Sequence, residues 1–238
     1  MSRARSVSSP APPLSRRTRP AAPRSARAAG RPGVPGGKRD TNRKERAQAL
    51  QRAGLRLFLE HGVEAVTIDD IVGETGVAKG SFYRYFPDKT ALVEAIVAPL
   101  RETFMAALDA TEESIAAARD GVALTRAYEG LALGLVPVAL LFPDGIRLYL
   151  QESRAPGVGA RAPLRALSDA IEVRAVRLTE AAVAHGLLRV DDPRVSAFAV
   201  VGAIEHLVLA VIQGRLDLPP QRIVTTLINL VIEGIKAR

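Results

Sequence analysis

The sequence predicts an all-α protein of two helical domains, and three observations carry the prediction. Apolar residues recur at helical spacing, as with Ala47, Leu50, Gly54, Leu57 and Phe58. No stretch sustains the period-two alternation of a half-buried strand. Gly, Pro and Asp-Pro signals divide the chain into pieces of ordinary helix length.

Residues 1–40 hold ten Lys and Arg, a single acid (Asp40) and almost no large apolar side chains. Such a segment cannot offset its ordering entropy by burial, so it is expected to be a disordered basic tail. Two roles suit it: a solubilising extension, or an arm that follows phosphates.

A first helix is predicted from Thr41 to His61, with Gly62 as its stop. Thr67 then offers a hydroxyl N-cap ahead of the acidic pair Asp69 and Asp70. Ile68, Ile71 and Val72 form the apolar stripe of a second, short helix. Gly76 ends it, because glycine takes the left-handed conformation of a helix stop at little cost. Val77 fills the turn. A third helix, Ala78–Arg84, carries Lys79, Ser81, Tyr83 and Arg84, while Phe82 and Phe86 are expected to point inward. Two short helices joined by a tight turn, the second basic and aromatic, are the pattern that lays its second helix in a DNA major groove.

Pro87-Asp88 opens a fourth helix that continues through Leu92, Ile96 and Leu100. Pro99 removes an amide donor, and its ring collides with the carbonyl of Ala95, so this helix should kink or divide there. Either a static bend or a joint between domains would account for it. Further helices are predicted over about 101–118, 120–136, 138–154, 163–186, 192–213 and 219–237. Their breaks fall at Pro137, Pro143-Asp144-Gly145, Pro156-Gly157, Gly186, Asp191-Asp192-Pro193, Gly214 and Pro219-Pro220. The last two helices are apolar on more than one face, as Val195, Phe198, Val201, Val208 and Val211 illustrate, followed by Ile223, Leu227 and Leu230. Two stripes imply burial on both sides, against a second copy or wholly within the subunit.

Composition narrows the function classes. The chain has no Cys and no Trp, so Leu, Val, Ile and Ala must build the core. Disulfides, thiolate metal sites and a cysteine nucleophile are excluded, and a reducing cytoplasm suits the sequence. The net charge of +8 is unevenly placed. Residues 1–40 carry +9, residues 41–95 are neutral and residues 96–238 carry −1. The longest uninterrupted apolar run, Leu131–Phe142, is too short to span a bilayer. His61, His185 and His206 are far apart, and no HExxH, GxSxG, phosphate-loop or paired-carboxylate motif is present. The sequence therefore predicts no enzyme, no metal site and no cofactor.

The stretches LRLFLEHGVEAVTIDDIVGETGV and KGSFYRYFPDKTALVEAI resemble the N-terminal DNA-binding domain of the TetR family of bacterial transcriptional regulators. The likeness runs from about Thr41 to Val97 and rests on several independent features at family spacing. It implies a division into a tail (1–40), a helix-turn-helix domain (41–95) and a ligand-binding and dimerisation domain (96–238). It implies a homodimer joined through the last two helices, a double-stranded and palindromic operator, and a small-molecule effector of unknown identity. At matching positions the family implies Thr67, Tyr83 and Lys89 as phosphate binders, with Lys79, Ser81, Arg84 and Tyr85 nearer the bases. Gly80 would let the backbone approach the duplex. Lys79 and Arg84 have the donors to read guanine O6 and N7.

The second half resembles the family in helix pattern only. An effector pocket is expected among the middle helices, mainly apolar, with Thr103, Tyr128, Tyr149, Gln151, Glu152, Glu205 and His206 as its polar handles. Glu205-His206 interrupts an apolar helix, so one of the two should face a cavity or the dimer seam, or else a structural hydrogen bond. The sequence thus reads as a transcriptional repressor released by a ligand. A ligand-independent DNA-binding dimer or an activator is the alternative.

Overall fold

The computed structural model describes residues 38–233. The expected disorder of the tail lies outside these residues except at its end. There Lys38–Asp40 already belong to the first helix, which starts earlier than the sequence suggests. The described residues form nine α-helices and one 3-10 turn: α1 (Lys38–His61), α2 (Ile68–Thr75), α3 (Lys79–Phe82), α4 (Lys89–Ala117), α5 (Gly121–Leu141), α6 (Pro143–Glu152), the turn Gly159–Arg161, α7 (Ala162–Ala184), α8 (Pro193–Ile212) and α9 (Pro220–Glu233). No strand occurs among them.

Caps explain most boundaries. Asp88, Asp120 and Asp192 each accept backbone N–H bonds at the start of α4, α5 and α8. Three boundaries depart from the sequence reading. Helix α4 is undivided through Pro99, because packing on both flanks holds it together across the single missing amide bond. Helix α5 likewise runs through position 137. The break falls at the next expected signal, where Phe142 is barred from helical geometry by Pro143 and has φ −129° and ψ 46°. The third helix is a single turn, Lys79–Phe82, rather than Ala78–Arg84.

Helix α4 is the axis of the molecule, flanked by α1, α5, α6 and α7. One apolar core runs from the first three helices into α6 and α7. It joins Leu50, Phe58, Ile71, Phe82, Leu92 and Val97 to Leu148, Leu164 and Leu167. A second core, around Leu108, Ile115, Leu124 and Leu178, fills the far end of α4, α5 and α7. Arg56 pairs with Glu74 across α1 and α2, and Arg174 and Arg177 pair with Glu112 across α7 and α4.

Helices α8 and α9 pack mainly on different neighbours. Helix α8 packs on α7 and α6, whereas α9 crosses to α5, with Ile232 reaching the second core. Both leave apolar surface uncovered: Val195 (67% exposed) and Phe198 (51%) on α8, and Leu230 (46%) on α9. Helix α8 is also long and apolar enough to cross a membrane by length and composition. The sequence reading missed this because Glu205-His206 interrupts the run. Glu205 is tied to Tyr149 and Arg154, so α8 sits as one layer of the helical stack.

Candidate nucleic-acid interface

Thr67 and Asp70 build the start of α2 as a reciprocal cap. The Asp70 amide donates to the Thr67 hydroxyl at 3.2 Å, and the Thr67 amide donates to the Asp70 carboxylate at 2.8 Å. The Thr67 hydroxyl itself donates to that carboxylate at 2.7 Å. These bonds hold the Asp70 carboxyl below the usual carboxylate range, the hydroxyl contributing most. Gly76 closes α2 with φ +67°, as its place in the turn requires.

Phe82 is fully buried and Phe86 nearly so, as the sequence predicts. Their rings stand 5.8 Å apart and anchor α3 on the core. Because Phe82 faces inward, Lys79, Gly80, Tyr83 and Arg84 face outward, with Ser81 and Tyr85 half-buried at the edge. Tyr83 meets the Phe82 ring edge-on, which fixes one end of it while about half the residue stays in solvent (49% exposed). Arg84 lies beyond the helical turn, in a turn whose amide donates back to the Ser81 carbonyl at 3.1 Å. Lys79 donates to Asp69 at 2.8 Å, a contact that raises the ammonium pKa. The face is therefore of mixed charge, with Asp69 and Asp70 beside Lys79 and Arg84.

Lys89 is occupied by the loop between α1 and α2. Its ammonium donates to the carbonyls of Val63, Glu64 and Val66 at 2.8, 3.2 and 2.8 Å. All three of its donors are engaged by the loop between α1 and α2, a use that the sequence reading did not foresee.

The seven effector-site candidates are not gathered into one site. Thr103 donates back to the Pro99 carbonyl of its own helix, and Tyr128 packs on the second core. Gln151 donates to the Phe58 carbonyl at 3.3 Å, and His206 is exposed. Tyr149 and Glu205 do meet, the phenol donating to the carboxylate at 2.6 Å. Burial first, and that carboxylate second, push the phenol pKa well above its usual value. Glu205 also lines a cavity of about 200 Å3 with Arg154, Arg165, Ser168, Glu172, Phe198 and Val201. Its walls carry four charged side chains, unlike the mainly apolar pocket the sequence suggests. The sequence reading missed Arg154, Arg165 and Glu172, whereas Glu152, one of its expected handles, is buried beside Arg161 and is not part of this lining. Isolated charges on helix faces look like solvated surface until the fold supplies their partners.

The architecture and this exposed turn define the class: an all-α protein with an N-terminal helix-turn-helix. The family model for bacterial regulatory proteins of the tetR family matches residues 50–96. The match is confined to this N-terminal segment, which is similar to the DNA-binding segment of that family. The chain is 43% identical over 54 residues to the transposon Tn10 TetC protein of Escherichia coli, covering 23% of this chain and 27% of that one. It is 33% identical over 70 residues to the nucleoid occlusion factor SlmA of Actinobacillus pleuropneumoniae, covering 29% and 35%. The chain thus spans only about a quarter to a third of the length of these relatives. Over the whole fold it is similar to the transcriptional regulator FadR of Bacillus subtilis in complex with stearoyl-CoA, with a TM-score of 0.58 and 16% identity over 79% of this chain and 99% of that one. It is equally similar to the ketosteroid transcriptional regulator KstR2 of Mycobacterium tuberculosis, with a TM-score of 0.58 and 18% identity over 81% and 96%.

Proposed function

We propose that the protein is a sequence-specific DNA-binding transcriptional regulator: a homodimeric, cytoplasmic repressor released from a palindromic operator by a small molecule. The observation that carries this reading is the exposed row Lys79, Gly80, Tyr83 and Arg84, held rigidly by the buried Phe82 and Phe86. Arg84 is the base reader, Lys79 leaves Asp69 for the groove, and Ser81, Tyr83 and Tyr85 contact the backbone and its edge. The Thr67 hydroxyl keeps accepting from the Asp70 amide and turns its one proton from the Asp70 carboxylate to a phosphate at the start of α2. Lys89 acts at one remove, by fixing the loop that leads into α2. Residues 41–95 form the DNA-binding unit and residues 96–238 the dimerising and ligand-responsive unit, with the basic tail of residues 1–40 ahead of them.

Uncovered Val195 and Phe198 on α8 support pairing with a second copy, which would bury them. The stearoyl-CoA complex of a protein of the same fold supports a small-molecule effector, and the cavity beside Glu205 is the place where one acts. The test is enrichment of duplexes from a randomised pool by the full chain, followed by a thermal-shift screen with small molecules. A palindromic consensus is expected, together with at least one stabilising compound that also releases the duplex. Recovery of random sequence would overturn the reading.

A further inference from the structure

Glu152, in the last turn of α6, is 4% exposed. A buried carboxylate is tolerated only where charge and hydrogen bonds compensate it. Arg161 supplies the charge from the 3-10 turn, its Nε donating to Oε2 at 2.6 Å. The other oxygen accepts from the amide of Val63 at 3.3 Å and from Gln151 at 3.2 Å. Val63 belongs to the loop between α1 and α2, so α6 grips the backbone that leads into the helix-turn-helix. The fit is close: a Cβ on Gly62, which has φ +83°, would stand 3.3 Å from the same Glu152 oxygen.

Three further contacts fall on this loop or its approach. Gln151 donates to the Phe58 carbonyl near the end of α1. Lys89 holds the carbonyls of Val63, Glu64 and Val66 from the side of α4. A Cβ on Gly159, in the same turn as Arg161, would lie 3.2 Å from the Glu64 carboxylate. The loop has little freedom, and it ends on Thr67, the cap of α2.

The other side of α6 leads to the cavity. Tyr149, one turn before Glu152, donates to Glu205 at 2.6 Å. Arg154, two residues after Glu152, donates to the second oxygen of Glu205 at 2.9 Å. One short segment is therefore bonded to the cavity wall on one flank and to the α1–α2 loop on the other. We propose that Glu152 is a positioning residue for the DNA-binding helices, holding the α1–α2 loop by the Val63 amide and linked along the last turn of α6 to Glu205 in the cavity wall. Whatever draws Glu205 away from Tyr149 and Arg154 loosens that turn, and the loop with it. The inference rests on the DNA-binding reading above for its consequence.

The experiment is a coupling cycle in the full-length protein, using a duplex enriched by the wild type, a scrambled duplex and amide exchange at Val63. Replacing both partners (Glu152→Ala with Arg161→Ala) avoids stranding a buried cation. It should weaken the selected duplex about three- to thirtyfold and leave the scrambled duplex unchanged. Glu205→Gln alone should weaken the selected duplex and speed Val63 exchange, with neither effect recurring in the double-variant background. If the double variant does not melt cooperatively, Glu152→Gln takes its place with the same readouts. Unaltered affinity for the selected duplex, or a Glu205→Gln effect of equal size in both backgrounds, would overturn the coupling. If the wild type enriches no duplex, the regulator reading fails. Val63 exchange then decides the coupling by itself, since a rate unmoved by Glu205→Gln refutes it.

Discussion

Replacing Lys89 by methionine keeps the aliphatic stem and removes the ammonium. The structure assigns that ammonium to three carbonyls, at 2.8, 3.2 and 2.8 Å. A hydrogen bond to a charged group contributes about 1.5–3 kcal/mol when one partner is removed. The three cannot be summed at that value, because the site is half-buried and water can reach the freed Glu64 carbonyl. A net loss of about 2–3 kcal/mol for the whole group is the appropriate scale. For a chain of this length each kcal/mol moves the melting temperature by about 2–4 °C, which gives a fall of roughly 4–12 °C. Thermal unfolding followed by circular dichroism measures it, and fluorescence anisotropy with selected and scrambled duplexes measures binding. The loop account expects the lower melting temperature together with a larger loss for the selected duplex. An unchanged melting temperature with equal loss for every duplex would refute it, and would return Lys89 to the phosphate role that the family resemblance implies.

Phe198→Glu places a carboxylate on the uncovered face of α8 and should split the dimer to monomers in sedimentation velocity, because an unpaired charge in an apolar contact costs about 3–5 kcal/mol. Phe198 suits this better than Val208, whose side chain packs on the core and whose replacement would also harm the fold. The cap of α2 predicts a pH dependence. The Asp70 carboxyl is depressed by the Thr67 hydroxyl and amide, so its contribution is present above the unfolded value of about 3.9 and fades as pH falls through the folded value. Thr67→Val should therefore lower the urea midpoint at neutral pH and converge on the wild type in acid, with NMR titration showing Asp70 moved up toward its ordinary value. Deleting residues 1–37 should make the dependence of DNA affinity on salt shallower, by about 0.9 in the logarithmic slope for each phosphate that the tail no longer neutralises. Identical slopes would make the tail a passive extension.

The parts of this molecule legible in the sequence are those fixed by neighbours along the chain. Thr67, Asp70, Gly76 and the inward Phe82 and Phe86 are local devices, a cap, a stop and a period, and each stands where its residue type requires. Prolines misled where tertiary packing outweighed one missing amide, as α4 and α5 both run past one, while the expected break at Pro143 stands, acting on Phe142. The cavity was the least legible feature. Tyr149 and Glu205 lie 56 residues apart and meet only because α6 packs on α8. Glu152 was legible as a polar residue among the inner helices but not in its role, since nothing nearby in sequence announces that Arg161 and the Val63 amide will enclose it. Lys89 stands at a family position, yet its direction depends on a loop more than 20 residues upstream.

The central claim is that the turn carrying Lys79 to Arg84 reads DNA sequence. The measurement that tests it most directly is the affinity of wild type and Arg84→Ala for a duplex selected from a random pool and for its scrambled counterpart, at fixed salt. The account predicts that Arg84→Ala loses about 1–3 kcal/mol on the selected duplex, little on the scrambled one, and relaxes preference at one or two base pairs. Equal losses on both duplexes would contradict it, since they would make Arg84 a backbone contact and leave the exposed face without a reader.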